Sequence, residues 1–257
     1  IMSSLKNLTN SIIDDTNGLW KKDVSKIDEL KIRHEAIKNS SLSKVEKIYW
    51  LIEDCKRYGT LPFAGLARAG FIAVELLKSL VSVKVLSSED YESFLGSVKS
   101  ISSDMSEDLV NLNREEFIEK YGHLRPGTYE IRSSRYDRDF DAFFGSVNNK
   151  HNADCDNSFS LGLDAMNKLN SLLVEHNIKH SPLSLLNFIK GAIEAREYAK
   201  FVFTRSLSDA MQLISELGNN IGFSDKDLSY LDIKDVMNLY STSHDLKDSL
   251  SKSIVSG

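Results

Sequence analysis

Apolar residues recur at spacings of three and four along most of the chain, which is the pattern of amphipathic helices. The longest such pattern starts at Ser181-Pro182 and runs to Gly218, interrupted only by Gly191. Serine caps helices and proline is tolerated in a first turn, so this pattern predicts one very long helix. Strand-like alternation is nearly absent, and residues 128–133 are the best extended candidate. We therefore expect an all-α fold, an irregular multi-helix domain.

Caps and breakers place the ends of the other helices. An apolar stripe that starts at Val45 ends near Gly59, where we expect one helix to stop and residues 60–62 to start the next. Apolar spacing then continues from Ser88 to residue 109 as one pattern. Asn113 and Glu116 form a capping-box pattern, which predicts a helix over 114–121 that Gly122 ends. Later patterns predict helices over 162–176, 233–240 and about 243–254.

One charged stretch, YGHLRPGTYEIRSSRYDRD at residues 121–139, breaks the helical pattern. Pro126-Gly127 suits the centre of a type II turn, because proline presets the first position and glycine accepts positive φ at the second. If residues 128–134 are extended, Glu130 and Arg132 share one face, since side chains alternate along a strand. The stretch is therefore predicted to be a charged Pro-Gly loop insertion.

The arginines of this stretch are the candidate substrate contacts. Arginine is the residue best suited to bidentate contact with carboxylate or phosphate, which points to Arg125, Arg132 and Arg135. His123 is the candidate hydrogen-bond donor beside them. The alternative is that acids and bases pair with each other, so that the stretch pins two helices or docks another domain.

Arg196 on the long helix is a further candidate substrate contact, because it can reach the charged stretch while Glu197 points elsewhere. His176 and His180 have metal-ligand spacing, but the Ser181-Pro182 helix start predicts a break between them, so no metal site is expected.

Composition limits the class of protein. Among 257 residues, 41% are hydrophobic and 27% are charged, as in a soluble globular protein, and the net charge of −5 argues against a nucleic-acid binder. The longest apolar run, residues 71–86, contains too many charges to span a membrane. Cys55 and Cys155 lack CxxC spacing, which favours two free thiols in a cytoplasmic protein, and a single disulfide between them is the alternative. Residues 145–158 are polar and aperiodic, and we expect a mobile loop there.

Residues 1–257 are expected to form a single helical domain. The chain begins Ile1-Met2, and we expect it to be a fragment of a longer, multidomain polypeptide.

Three separated blocks resemble a known family. FIEKYGHLRPGTYEI with RYDRD resembles the motif in the central helical region of phosphoenolpyruvate synthase-like phosphotransferases, which include pyruvate phosphate dikinase and rifampicin phosphotransferase. LPFAGLARAGFIAVELLKSLV resembles the family helix before that motif. IEAREYAKFVFTRSLSDAM followed by DLSYLDIKDVMNL resembles the long helix and the short segment after it. A common family form is YGHRG, whereas here Leu124 and then Arg125 follow the histidine.

The resemblance implies a division of labour. In these enzymes an ATP-grasp domain binds ATP with Mg²⁺, a swivelling domain carries a phosphorylated histidine, and other parts bind the acceptor. This sequence contains neither a Gly-rich nucleotide loop nor a TSHAA-like phosphohistidine segment, so His123 is not assigned as the phosphoryl carrier. The chain resembles the central domain, which holds no cofactor itself, helps to bind a small-molecule acceptor and docks the phosphohistidine domain.

The resemblance leaves the acceptor and the class of protein open. GHLRPGTY is most similar to members found with capsule genes, one branch of which phosphorylates the side-chain amide of L-glutamine. Pyruvate is the alternative acceptor. An alternative of another class is a non-enzymatic helical interaction module that retains the scaffold.

Overall fold

The computed structural model describes residues 2–14, 17–145, 159–241 and 246–256, and within these residues it contains helices and no strand. The all-α prediction is therefore confirmed. The helices are α1 Met2–Ile13, α2 Leu19–Lys38, α3 Lys44–Asp54, a π-helix Cys55–Thr60, α4 Leu61–Ser82, α5 Ser88–Gly96, α6 Ile101–Asn111, α7 Arg114–Tyr121, α8 Phe140–Phe144, α9 Leu163–Glu175, α10 Pro182–Asn220, α11 Asp225–Leu228, α12 Ile233–Asn238 and α13 Leu246–Ser256.

The chain divides into two compact units. The first comprises Ile1–Asp28, Leu61–Glu107 and His151–Lys200, and the second comprises Glu29–Thr60, Asp108–Lys150 and Phe201–Gly257. The long helix α10 therefore supplies residues 182–200 to the first unit and 201–220 to the second. A single domain over residues 1–257 stays a prediction.

Each unit has its own apolar core. In the first, the Trp20 ring lies edge-on to Phe188 of α10, with ring centroids 6.1 Å apart, and both side chains are buried. The second unit buries a cluster drawn from α2, α3, α10 and α12. Its members are Ile37, Ile48, Leu51, Ile52, Ala210, Ile214 and Val236.

Side-chain caps begin several helices where the sequence predicts them. Asn113 accepts a hydrogen bond from the backbone N–H of Glu116, whose carboxylate accepts from the backbone N–H of Asn113 in return. This capping box confirms the start of α7, and Gly122 follows its last residue. Ser181 Oγ likewise accepts from the N–H of Ser184 at the start of α10. The predicted break between His176 and His180 is also confirmed, because α9 ends at Glu175 and α10 starts at Pro182.

Gly59 does not end a helix, contrary to the prediction. The π-helix Cys55–Thr60 joins α3 to α4 without a break. A Cβ atom at Gly59 would lie 2.7 Å from Cβ of Phe203 on α10, which is inside any permitted contact. The glycine therefore allows two helices of the second unit to approach closely and does not serve as a stop signal.

The single helix predicted from Ser88 to residue 109 is wrong. Helix α5 ends at Gly96 and α6 begins at Ile101. Ser100 Oγ accepts a hydrogen bond from the N–H of Ser103 at 3.0 Å, so a serine cap starts a new helix inside the apolar pattern.

The charged stretch is irregular, as predicted, but its predicted turn type and extended segment are wrong. Among the described residues the glycine with positive φ is Gly222, so Gly127 does not take the left-handed position that a type II turn requires. Residues 127–133 form two successive turns, in which the Glu130 N–H donates to the Gly127 carbonyl and the Ser133 N–H to the Glu130 carbonyl, both at 3.0 Å.

Within the residues that the structure describes, one helical stretch has the length and composition to cross a membrane. It covers the 39 residues Lys44–Ser82, and its most apolar window has a mean hydropathy of 1.4 and is 33% buried. A single helix of this kind is a weak indication, because core helices of soluble proteins meet the same criteria. The finding is compatible with a soluble protein.

Cys55 is a buried free thiol. The predicted loop over 145–158 and the second predicted free thiol, Cys155, lie outside the described residues, apart from Gly145 at the end of α8.

Candidate functional site

The charged stretch folds back on itself in the second unit. We call residues 122–139, between α7 and α8, the charged segment. Its two ends are joined by backbone hydrogen bonds, from the Tyr136 N–H to the Leu124 carbonyl at 2.9 Å and from the Asp137 N–H to the Gly122 carbonyl at 3.1 Å. Between these bonds the segment forms a closed loop that presents its interior to α10.

Arg125 fills the interior of this loop. It is 8% exposed, and its guanidinium donates to the carbonyls of Glu130 at 3.3 Å and Ile131 at 3.5 Å and to Ser208 Oγ at 3.2 Å. Because burial and the neighbouring charge of Arg135 disfavour a cation here, the pKa of Arg125 is lowered to about 10. The Glu130 and Ile131 carbonyls both face Arg125, which requires the backbone to turn, so an extended segment does not form.

His123 anchors the segment against the long helix. Its side chain is buried, its Nε2 lies 3.3 Å from the Phe201 carbonyl oxygen, and Ser208 Oγ donates to its backbone carbonyl at 2.6 Å. Burial and the nearby charge of Arg205 lower the pKa of His123 to about 3. The imidazole is therefore neutral at physiological pH and supplies no charge to an anion.

Arg135 is the centre of a chain of charged groups. It donates two hydrogen bonds to Asp137, at 3.1 and 2.7 Å, and one to Asp209 of α10 at 2.6 Å. The other oxygen of Asp209 lies 2.8 Å from Nε2 of the buried His34 on α2. A carboxylate only accepts, so this ring nitrogen carries the proton. Although burial opposes ionisation, the bonds from His34 and Arg135 lower the pKa of Asp209 to about 2.

The remaining predicted contacts have partners of their own. Arg132 is exposed and donates to both carboxylate oxygens of Glu130, at 3.0 and 3.2 Å. Arg196 belongs to the first unit, where its guanidinium lies 3.5 Å from Glu197 and 5.7 Å from the Phe71 ring centroid. The expectation that Arg196 and Glu197 do not meet is wrong, since both long side chains bend towards each other.

A cavity of about 440 Å³ opens beside Arg135 in the second unit. This volume is in the range of small-molecule sites. Three helices and the charged segment line it, each helix with residues three or four apart and therefore on one face. The lining residues are His34, Ile37 and Lys38 of α2, Lys47 and Leu51 of α3, Arg135, Asp137 and Arg138 of the segment, and Asp209, Gln212 and Leu213 of α10.

The cavity is positively charged although the chain is acidic. Four lysine and arginine side chains and two carboxylates line it, so the net charge of these six groups is +2, against −5 for the whole chain. Arg132 and Arg125 instead line a neighbouring cavity of about 80 Å³. That space holds a few water molecules at most.

Sequence reasoning did not select Arg138, Lys38 and Lys47 as site residues. Arg138 lies in the charged stretch between Asp137 and Asp139, and these adjacent acids suggest local pairing, so no sequence signal singles it out. Lys38 and Lys47 sit on separate helices far from the motif, and no local pattern distinguishes them from solvated lysines.

Within the described ranges, no group of three or more His, Cys, Asp or Glu side chains is placed to hold a metal ion. Comparison of the chain with family models, with curated proteins and with solved structures found no match.

Proposed function

We propose that this chain is the central helical, acceptor-side domain of an ATP-dependent phosphoenolpyruvate synthase-like phosphotransferase. In that role it orients a small-molecule acceptor and docks the domain that carries the phosphohistidine. The observation that supports the proposal is the cavity of net charge +2, because two of its cations, Arg135 and Arg138, come from the segment with the family-like motif.

In this proposal the cations of the cavity have different roles. Arg138, Lys38 and Lys47 would neutralise charge on the transferred phosphate or the acceptor, which is the usual contribution of protein side chains to phosphoryl transfer. Arg135 is held by Asp137 and Asp209 and would present a fixed edge to the ligand. His123 and Arg125 would hold the segment in place from its interior.

The other components of the reaction belong to other parts of the polypeptide in this proposal. ATP and Mg²⁺ would bind to an ATP-grasp domain, and the chain alone would be inactive. L-Glutamine is the proposed acceptor, phosphorylated on its side-chain amide for capsule modification, with pyruvate as the alternative. The cytoplasm is the proposed location, since ATP is available there.

A second candidate is a helical interaction module without catalysis. It is favoured by the internal pairing of three of the predicted contacts. Arg125 is bonded to backbone carbonyls, Arg132 to Glu130 and Arg135 to two aspartates.

The test uses the natural polypeptide that contains this chain, incubated with ATP and with L-glutamine, pyruvate or small alcohols, and followed by phosphorus NMR. We expect a new phosphoramidate signal with L-glutamine, strongly reduced in Arg138→Gln. The matched control is Arg57→Gln. Arg57 is an exposed arginine of the same unit, pairs with Glu53 and does not line the cavity, so this variant removes one charge outside the site. Turnover that is equal in both variants would remove the cavity from the mechanism. No turnover with any acceptor would favour the interaction module.

A further inference from the structure

The cationic side of the cavity has charge that no carboxylate of the described residues compensates within ion-pair distance. Arg138 is exposed and, among the residues that the structure describes, forms no ion pair. Lys47 Nζ donates to the backbone carbonyl of Lys38 at 2.9 Å, and within the described ranges neither lysine forms an ion pair with a carboxylate. Asp137 and Asp209 are already engaged by Arg135. The uncompensated cations therefore converge on one cavity, where an anion would relieve their mutual repulsion.

The opposite side of the cavity is apolar. Ile37 and Leu51 belong to the buried core cluster of the second unit, and Leu213 packs against the same cluster. All three also line the cavity, so part of the core surface is open to a ligand. A small inorganic anion would leave this surface in contact with water. A ligand with an apolar body would cover this surface, and removing it from water would strengthen binding.

We propose that this cavity binds a phosphate monoester whose apolar body is about the size of a single ring or a pair of fused rings. The phosphate lies against Arg138, Lys38 and Lys47, and the body lies against Ile37, Leu51 and Leu213. This inference rests on the proposed function only for the location of the site. An acceptor site holds the phosphorylated acceptor once the phosphate has been transferred, so the two proposals are compatible.

Charge selects a phosphate monoester over a carboxylate. The second pKa of a phosphate monoester is about 6, so the group carries nearly two negative charges at neutral pH. This matches the net charge of +2 in the cavity, whereas one carboxylate would neutralise half of it. Arginine also matches phosphate geometry with paired donors, and Arg138 has its guanidinium available for that contact.

The test is calorimetric titration of the 257-residue chain with three probes at neutral pH and low salt. The probes are 1-naphthyl phosphate, inorganic phosphate and 1-naphthol. We expect 1-naphthyl phosphate to bind about tenfold or more tightly than either of the others, because only it meets both sides of the cavity. Equal affinity for inorganic phosphate would overturn the apolar contact, and equal affinity for 1-naphthol would overturn the anion contact.

Substitutions then locate the site. Arg138→Gln and Lys38→Gln change exposed side chains, so both variants are expected to fold, and each should weaken 1-naphthyl phosphate binding about tenfold. Arg57→Gln removes the same charge elsewhere on the second unit and should leave binding unchanged. If all three variants bind alike, the cavity is not the site and the proposal fails.

The outcomes separate this inference from the proposed function. If 1-naphthyl phosphate binds in a way that depends on Arg138 but the natural polypeptide transfers no phosphoryl group, the proposed binding site is kept and the proposed enzymatic function is refuted. If phosphoryl transfer depends on Arg138 but 1-naphthyl phosphate does not bind, the proposed enzymatic function is kept and the proposed ligand class is refuted.

Discussion

Replacing Asp209 by asparagine tests the chain of charges behind the cavity. Asp209 accepts from both Arg135 and the buried His34, and these bonds hold its carboxylate ionised in a largely buried position. The substitution Asp209→Asn would keep the size of the side chain but remove its charge. Arg135 would retain Asp137 as a partner, so its guanidinium would keep a carboxylate.

The size of the effect follows from the pKa. The pKa of Asp209 is about 2 in the folded chain, against an ordinary value of 3.8. Because a tenfold change in acidity corresponds to ~1.4 kcal/mol, the ionised group contributes roughly 2 kcal/mol to the free energy of unfolding at neutral pH. The folded pKa is depressed, so this contribution is present above the unfolded value and is lost as the pH falls from about 4 to about 2.

The assay is urea unfolding followed by far-UV circular dichroism at several pH values. At neutral pH we expect Asp209→Asn to unfold with a free energy lower than wild type by roughly 2 kcal/mol, and near pH 3 by about half of that. The control is Asp248→Asn, which removes an exposed i,i+4 pair with Lys252 and should cost at most a few tenths of a kcal/mol. A difference between wild type and Asp209→Asn that does not change with pH would refute the reasoning.

Two further changes test the packing that holds the segment and the long helix. Arg125→Met should lower the free energy of unfolding by about 2–4 kcal/mol, because it leaves the carbonyls that face Arg125 without that donor. The control is Arg132→Met, which breaks the exposed pair with Glu130 and should leave the urea midpoint nearly unchanged. If the two variants unfold alike, the interior position of Arg125 is wrong. Gly191→Ala should lower the free energy of unfolding by about 1–3 kcal/mol, because the added Cβ would lie 2.7 Å from the Trp20 indole. The control is Gly162→Ala, whose added Cβ meets no atom within 4 Å and should leave the melting temperature unchanged. Equal melting temperatures for these two variants would contradict the packing of α10 on Trp20.

Local signals in the sequence predicted those parts of the fold that depend on local chemistry. A helix start needs only a capping side chain and a few neighbours, and both Asn113 and Ser181 cap where the pattern indicates. Apolar spacing predicted α10 because nothing between Pro182 and Gly218 opposes a helix. The all-α class followed from the same periodicity.

Residues whose conformation depends on distant partners were not predictable in this way. Gly59 looks like a stop signal, but its role is set by Phe203, which is far along the chain. Pro126-Gly127 looks like a type II turn, but Arg125 is held in the loop interior by the distant Ser208 and draws the carbonyls of Glu130 and Ile131 inward.

The candidate site shows the same limit. The sequence indicated that charged residues of the segment matter, and Arg135 does line the cavity. It did not indicate that Arg125 and His123 point into the interior, because burial is a property of the folded loop. His34 and Asp209 meet across 175 positions of sequence, a separation at which one sequence carries no pairing signal.

The most direct test of the central claim, that the cavity beside the charged segment binds the ligand, is an NMR titration of the arginine Nε–H signals. The chain would be titrated with 1-naphthyl phosphate, and the Arg138 signal would be assigned from its absence in Arg138→Gln. We expect the Arg138 and Arg135 signals to shift saturably while that of Arg57 stays constant. Saturable shifts at arginines of the first unit, such as Arg68 or Arg196, with an unchanged Arg138 signal would contradict the claim.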